Sequence, residues 1–399
     1  MVTPRVMTKI KQLGVAMVAL TASAATSMAQ PAAKPNFVEI ADRVVGKTLN
    51  IKEGEIVQVA GAPGDAPLLE EIAIAVRKRG AWPIITMWSE SAEKNFIANV
   101  PATFDAKTNA ADLALAKIVN AVIVIPAIRD NSIYATFSPE RMQALQKAGT
   151  PIGNLTRKRS VRTVELGNGV LPSAARAKAL GITEAELTSL YWGGMSADYA
   201  PIETKAKALQ DMFAKAKELH ITHPNGTDLK IKIKGRKVMT SDGVVSDADR
   251  KVGGVAVQAW LPAGEVYFAL DATSTEGKLV DDRLVLFEKE VVGLTAEIKG
   301  GKITSIVAKS GWDGDIKKRY DIAGAKKNDI SLIDFGINPA VKSTGKMETF
   351  MGAGMVTIGS GLNVWAGGTN AEPFGMTFML PGTTVTVDGV ALIEAGALK

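Results

Sequence analysis

The sequence predicts an α/β N-terminal domain with a parallel sheet, followed by a β-rich α+β C-terminal domain. Three observations carry this. Up to about residue 210, short apolar strand segments alternate with helical ones. Beyond it, segments of alternating apolar and polar residues are separated by Gly- and Asp-containing turns. The length of 399 residues, 46% hydrophobic and 22% charged, is enough for two domains with their own cores.

The elements follow in order. Arg5, Lys9 and Lys11 precede an apolar run, Leu13 to Ala25, and Ser27-Met28-Ala29 fits the small-x-small pattern of a cleavage site. A cleavable leader over residues 1–29, cut after Ala29, is expected, and with it a periplasmic or secreted protein. The apolar run is short for a membrane span, so no stable anchor is expected. A Pro/Ala-rich lead-in covers residues 30–36. Glu55 to Ala60 reads as a strand, Ala66 to Arg79 as a helix, Ile84 to Trp88 as a strand, Ala110 to Asn120 as a helix and Ala121 to Ile125 as a buried strand. Thr183 to Tyr191 and Ile202 to Leu219 read as helices, the first opened by a Thr183/Glu186 capping box. Strands are expected at Leu229 to Ile233, Val255 to Trp260, Leu284 to Phe287, Gly293 to Ile298 and Lys302 to Val307, and a mostly β segment from Gly352 to Lys399. The expected layout is 1–29, 30–210 and 211–399.

Composition narrows the chemistry. The chain has no cysteine and two histidines, His220 and His223. Thiol nucleophiles, disulfides and thiolate metal sites are excluded, and a metal would rest mainly on carboxylates. Of 47 basic residues, three lie in the leader; the remaining 44 nearly balance 41 acidic ones, giving no basis for a nucleic-acid partner.

Each motif has an ordinary reading beside a functional one. Gly61-Ala62-Pro63-Gly64 after a strand reads as a tight turn, because it lacks the spacing of a phosphate loop. Arg157-Lys158-Arg159 with Arg162 is either a solvated surface or, through Arg157, an anion pocket. His220 and His223, three apart on a strand, point to opposite faces and would share a metal only across a bulge. Glu265, between the Pro262-Ala263-Gly264 turn and an apolar strand, needs a partner if buried. Ser360 to Gly375 is either a plain loop or a pocket in which Trp365 packs on a ligand that Asn363 and Asn370 hydrogen-bond.

Four segments resemble the thermophilic aminopeptidase family in order and spacing: Leu190 to Met195 with Asp198, Gly226-Thr227-Asp228-Leu229, Leu261 to Tyr267, and Val387-Asp388-Gly389. The resemblance runs from about Asn50 to the C-terminus. It implies a two-domain, thermophilic-aminopeptidase-like fold, a homodimer, and two divalent ions (zinc, cobalt or manganese) in the C-terminal domain that activate a bridging water. Glu265 matches the family's first metal-binding glutamate. The second glutamate falls on Leu332, with Asp334 two residues on as a substitute ligand. The first metal histidine falls on Thr357, the tyrosine near Val364, and the late His-x-Asp pair near Gly375 and Thr377. No histidine follows His223, so the family's dinuclear site is not expected as such.

Three functions follow. One is hydrolysis of N-terminal peptide or amide bonds at an altered site, with Glu265 catalytic and Glu265 and Asp334 on a divalent metal. Another is metal-free binding of a peptide or small molecule in the interdomain cleft. The third is non-peptidase chemistry with Glu265 as general base.

Overall fold

The computed structural model describes residues 35–130, 133–134, 138–287, 289–342, 349–372 and 374–399. The expected leader lies outside these residues. α1 (Phe37–Arg43) is capped by the side chain of Asn36. β1 (Ile56–Gly61), α2 (Ala66–Lys78), β2 (Trp82–Met87), α3 (Glu90–Asn99), α4 (Ala110–Ile118), β3 (Ala121–Val124), α5 (Pro139–Lys158) and β4 (Arg162–Leu166) follow. The elements expected between residues 55 and 125 are all present, their ends shifted by at most two residues.

α6 (Ala174–Leu180), α7 (Glu184–Met195) and α8 (Tyr199–Phe213) come next. At the start of α7 the Thr183 amide donates to Glu186 Oε2 (2.7 Å) and the Glu186 amide to Thr183 Oγ1 (3.2 Å), which is the expected capping box. The helix expected to run on to Leu219 stops at Phe213, because Leu219 and Ile221 alternate inward as strand residues of β5 (Glu218–Thr222). Position 210, expected as a domain boundary, lies inside α8, and the described residues form one compact unit.

The remaining elements are β6 (Asp228–Lys232), β7 (Met239–Ser241), α9 (Asp247–Val252), β8 (Gln258–Leu261), β9 (Glu265–Ala269), β10 (Thr275–Leu286), β11 (Lys289–Lys299), β12 (Lys302–Val307), α10 (Gly314–Ile322), β13 (Ile330–Gly336), β14 (Val356–Ser360), β15 (Thr377–Met379), β16 (Thr384–Val387), β17 (Val390–Glu394) and β18 (Ala397–Leu398). Residues 255–260 are not one strand: a 3-10 turn, Gly254–Val257, precedes β8.

The strands build three sheets. The parallel sheet has the order β2-β1-β3-β4-β8. Its fifth strand thus comes from beyond residue 211. An eight-stranded sheet runs β12-β11-β10-β6-β5-β16-β17-β18, and a third sheet runs β15-β14-β13-β9-β7, antiparallel throughout. The third sheet positions the site. One face carries Val266, Phe268, Ile333, Phe335, Val356, Ile358 and Phe378, all fully buried in the main core. Strand alternation sends the residues between them to the opposite face.

Candidate active site

That opposite face carries a cross-strand row of Met239, Tyr267, Asp334, Thr357 and Met379, drawn from β7, β9, β13, β14 and β15. Glu265 lies on the same face, two residues before Tyr267. The structure therefore brings together Glu265 and Asp334, as the sequence expects, and places Thr357 directly across from Asp334. All three are nearly inaccessible.

The Glu265 turn is held from three sides. Asn168, just past the carboxyl end of β4, donates from Nδ2 to Glu265 Oε2 (3.0 Å) and to the Pro262 carbonyl (2.9 Å). Asn338, after β13, donates to the Ala263 carbonyl (2.6 Å). The Ala263 amide donates to the Tyr199 hydroxyl (3.3 Å), which in turn donates to the Gly194 carbonyl (3.1 Å). Gly264 has φ +132°, and a Cβ there would lie 2.5 Å from Asn338 Cβ, so glycine is required before the glutamate.

Burial dominates the electrostatics. It pushes the Glu265 carboxyl up to about 7, against the hydrogen bonds from Asn168 and Asp334 that favour its ionised form. Burial also raises Asp334 well above the usual carboxylate range, and the Glu265 charge raises it further. The two carboxyls are hydrogen-bonded to each other, and burial disfavours ionising both together. Asp334 Oδ1 and Thr357 Oγ1, both buried, have no hydrogen-bond partner.

Beside this pair opens a cavity of about 530 Å³. It is lined by Gly167 and Gly169 around Asn168, by Glu165, and by Thr377 and Met379 of β15. Three guanidinium groups reach it from separate elements: Arg129 after β3, Arg176 on α6 and Arg283 on β10. Arg129 also pairs with Asp65, and Arg283 with Glu290 (2.5 Å).

The other expected site residues lie in contacts within the chain. Trp365 packs against Tyr267 (ring centroids 5.5 Å) and Trp260 (5.9 Å), in a cluster on the face that carries Glu265. Asn363 donates to the Ser331 carbonyl (2.9 Å) and accepts from the Asn370 amide (2.8 Å). Asn370 donates to the Lys326 carbonyl (2.9 Å) and accepts from the Glu372 amide (2.9 Å). Both amide side chains are thus used to staple their own loop. Arg157 is exposed and donates to Asn154 Oδ1 (2.5 Å) on its own helix. α5 leads into the amino end of β4, whereas Glu265 follows the carboxyl end of β8, so Arg157 sits at the other end of the parallel sheet. Its neighbours in the basic cluster make contacts within the chain too: Arg159 donates to the Ala116 and Val119 carbonyls, and Arg162 pairs with Glu55 (2.5 Å). Asn168, Asn338 and the three cavity arginines were missed in the sequence. Gly167-Asn168-Gly169 at the carboxyl end of a parallel strand was the available signal, since such ends are where α/β sheets bind ligands.

Residues 33–315 match the thermophilic metalloprotease (M29) family, and the chain belongs to this family, which contains aminopeptidase T. Wild-type AmpT from Thermus thermophilus superposes with a TM-score of 0.69 at 18% identity, over 91% of this chain and 98% of that one. A 2,5-dihydroxypyridine dioxygenase from Pseudomonas putida KT2440 superposes at 0.57 with 16% identity, over 91% of this chain and 96% of that one. At these identities the likeness concerns the fold. No curated protein sequence matches the chain. Family membership supports an aminopeptidase-like function.

The residues present do not fit the dinuclear centre implied by the resemblance. Glu265 and Asp334 are hydrogen-bonded to each other and burial disfavours the charge of both, while Glu165 lines the neighbouring cavity. His220 lies on β5 of the eight-stranded sheet, paired with Asp228 (2.8 Å), and the His223 Nδ1 accepts from the Asn225 amide in the turn that follows. Among the described residues no group of three or more His, Asp or Glu is placed to hold a metal ion.

Proposed function

We propose that the chain is an exported, aminopeptidase-like protein that holds a peptide or peptide-like small molecule in the cleft beside Glu265, without its family's two-metal centre. The observation that carries this is the carboxyl pair itself. Two buried acids joined by a hydrogen bond, with threonine across from them where the resemblance puts a histidine, are a poor cage for two dications, and the ligand cavity opens next to them, past Gly167, Gly169 and Met379. The three arginines at the cleft suit a carboxylate, which guanidinium groups bind in bidentate fashion.

A second reading is favoured by the two unpartnered oxygens. Asp334 Oδ1 and Thr357 Oγ1 beside Glu265 make an oxygen-only donor set for a single hard cation, and the protein would then be a hydrolase with an altered site. Thermal melting with tripeptides separates the two. The first reading expects a stabilisation of about 2.7 kcal/mol at a hundredfold excess over Kd, weakened when the peptide carboxylate is amidated, with no peptide cleaved. Cleavage that a chelator abolishes would establish the second reading. Export and dimerisation belong to the same proposal: mature protein beginning at Gln30 and a dimer by light scattering are expected, and an intact Met1 would overturn export.

A further inference from the structure

The parallel sheet has a second cavity of about 530 Å³, at the carboxyl ends of its first three strands. Gly61 of β1, Thr86 and Met87 of β2 and Ile125 after β3 form its floor. β1 lies between β2 and β3, so the chain leaves β1 to one side for β2 and returns on its other side for β3. In open α/β sheets the crevice outside such a reversal is the usual place for a ligand.

The walls define the ligand's chemistry. Trp88 and Phe96 supply aromatic surface, and Glu93 and Asp112 supply carboxylates. Among the described residues that line it there is no Lys, Arg or His. The half-exposed Trp88 ring is fixed by its Nε1, which donates to Glu93 Oε2 (2.7 Å). The Tyr134 hydroxyl bonds the same carboxylate. An indole face held beside an anchored carboxylate attracts a cation with little organised water.

A nucleotide or other phosphate fits poorly. The turn that leads from β1 into α2, where a phosphate would approach, already carries the chain's own Asp65 carboxylate. Its Oδ2 accepts from the Ala62 amide (3.0 Å), and its Oδ1 pairs with Arg129. We propose that this cavity binds a small organic cation with an apolar body, of the quaternary-ammonium or arylalkylamine class, with Trp88 stacking on it and Glu93 and Asp112 neutralising it. Its lining shares no residue with the first cavity, although both flank residues 125–129, and its test does not depend on the reading given to the Glu265 cleft.

The test is calorimetric titration of the mature chain at pH 7.5 and low salt with benzyltrimethylammonium chloride, and with benzyl alcohol as an uncharged comparator. Saturable binding of the cation is expected, at least tenfold tighter than of the alcohol. Trp88→Leu and Asp112→Asn should each weaken it at least tenfold without lowering the melting temperature. Asp112 is exposed on α4, so its variant keeps the test valid if Trp88→Leu misfolds. Absence of cation binding, equal affinity for the alcohol, competition by inorganic phosphate, or wild-type affinity in folded Asp112→Asn would overturn the proposal.

Discussion

Asp281 on β10 is a buried carboxyl that accepts from the Arg283 amide, and burial pushes it up to about 7. In the folded chain it binds its proton more tightly than at the ordinary value of 3.8. Its contribution to stability is therefore fully present below about pH 3.8 and is lost as pH rises through about 7. Asp281→Asn keeps the oxygen that accepts from Arg283 and removes the charge. It should be more stable than the wild type by about 1–3 kcal/mol at pH 8, with the two melting curves converging near pH 4; wild-type behaviour at pH 8 would contradict the burial account. At this scale the sequence was partly legible. Glu265 stands out because a Pro/Gly turn sets it against an apolar strand, and Asp334 only through the resemblance, two residues past Leu332, where the family's second glutamate falls. Asn168 is not legible, since it reaches Glu265 from 97 residues away, from the turn after a strand of another sheet. Asn363, Asn370 and Trp365 pointed to a pocket because a polar, aromatic loop has the same composition whether its amides face a ligand or their own backbone.

Helices with local capping signals are legible in the sequence. The Thr183/Glu186 box opens α7 as expected, and Thr183→Ala should cost about 1 kcal/mol in chemical denaturation, with Thr183→Ser restoring most of it; an unchanged midpoint would mean that tertiary packing alone holds this helix end. Elements whose identity depends on distant partners were harder. Residues 214–219 carry helix-forming Lys and Ala, yet Leu219 and Ile221 are claimed by the neighbours of β5, where burial outweighs propensity. Alternation over residues 255–260 is the same in a parallel or an antiparallel sheet, so the sequence does not show which sheet β8 joins. Its place beside β4, not its sequence, puts Glu265 at the carboxyl edge of the parallel sheet.

The whole molecule joins that parallel sheet to two others so that the carboxyl ends of β4 and β8 face the sheet carrying Asp334 and Thr357. The mixed α/β and β-rich character was readable from alternation and turn chemistry. The interlocking of the halves through β8 was not, because a four-residue strand leaves no composition shift. The family frame is retained over most of the chain, while the imidazoles that the resemblance requires at its metal centre are absent from the sequence after His223. The central claim is that this scaffold works without a two-metal centre. Its most direct test is the metal content of the purified mature protein after dialysis, measured by mass spectrometry for wild type and Glu265→Gln. The account predicts no stoichiometric zinc, cobalt or manganese in either protein. One or two equivalents in the wild type, lost in Glu265→Gln, would contradict it.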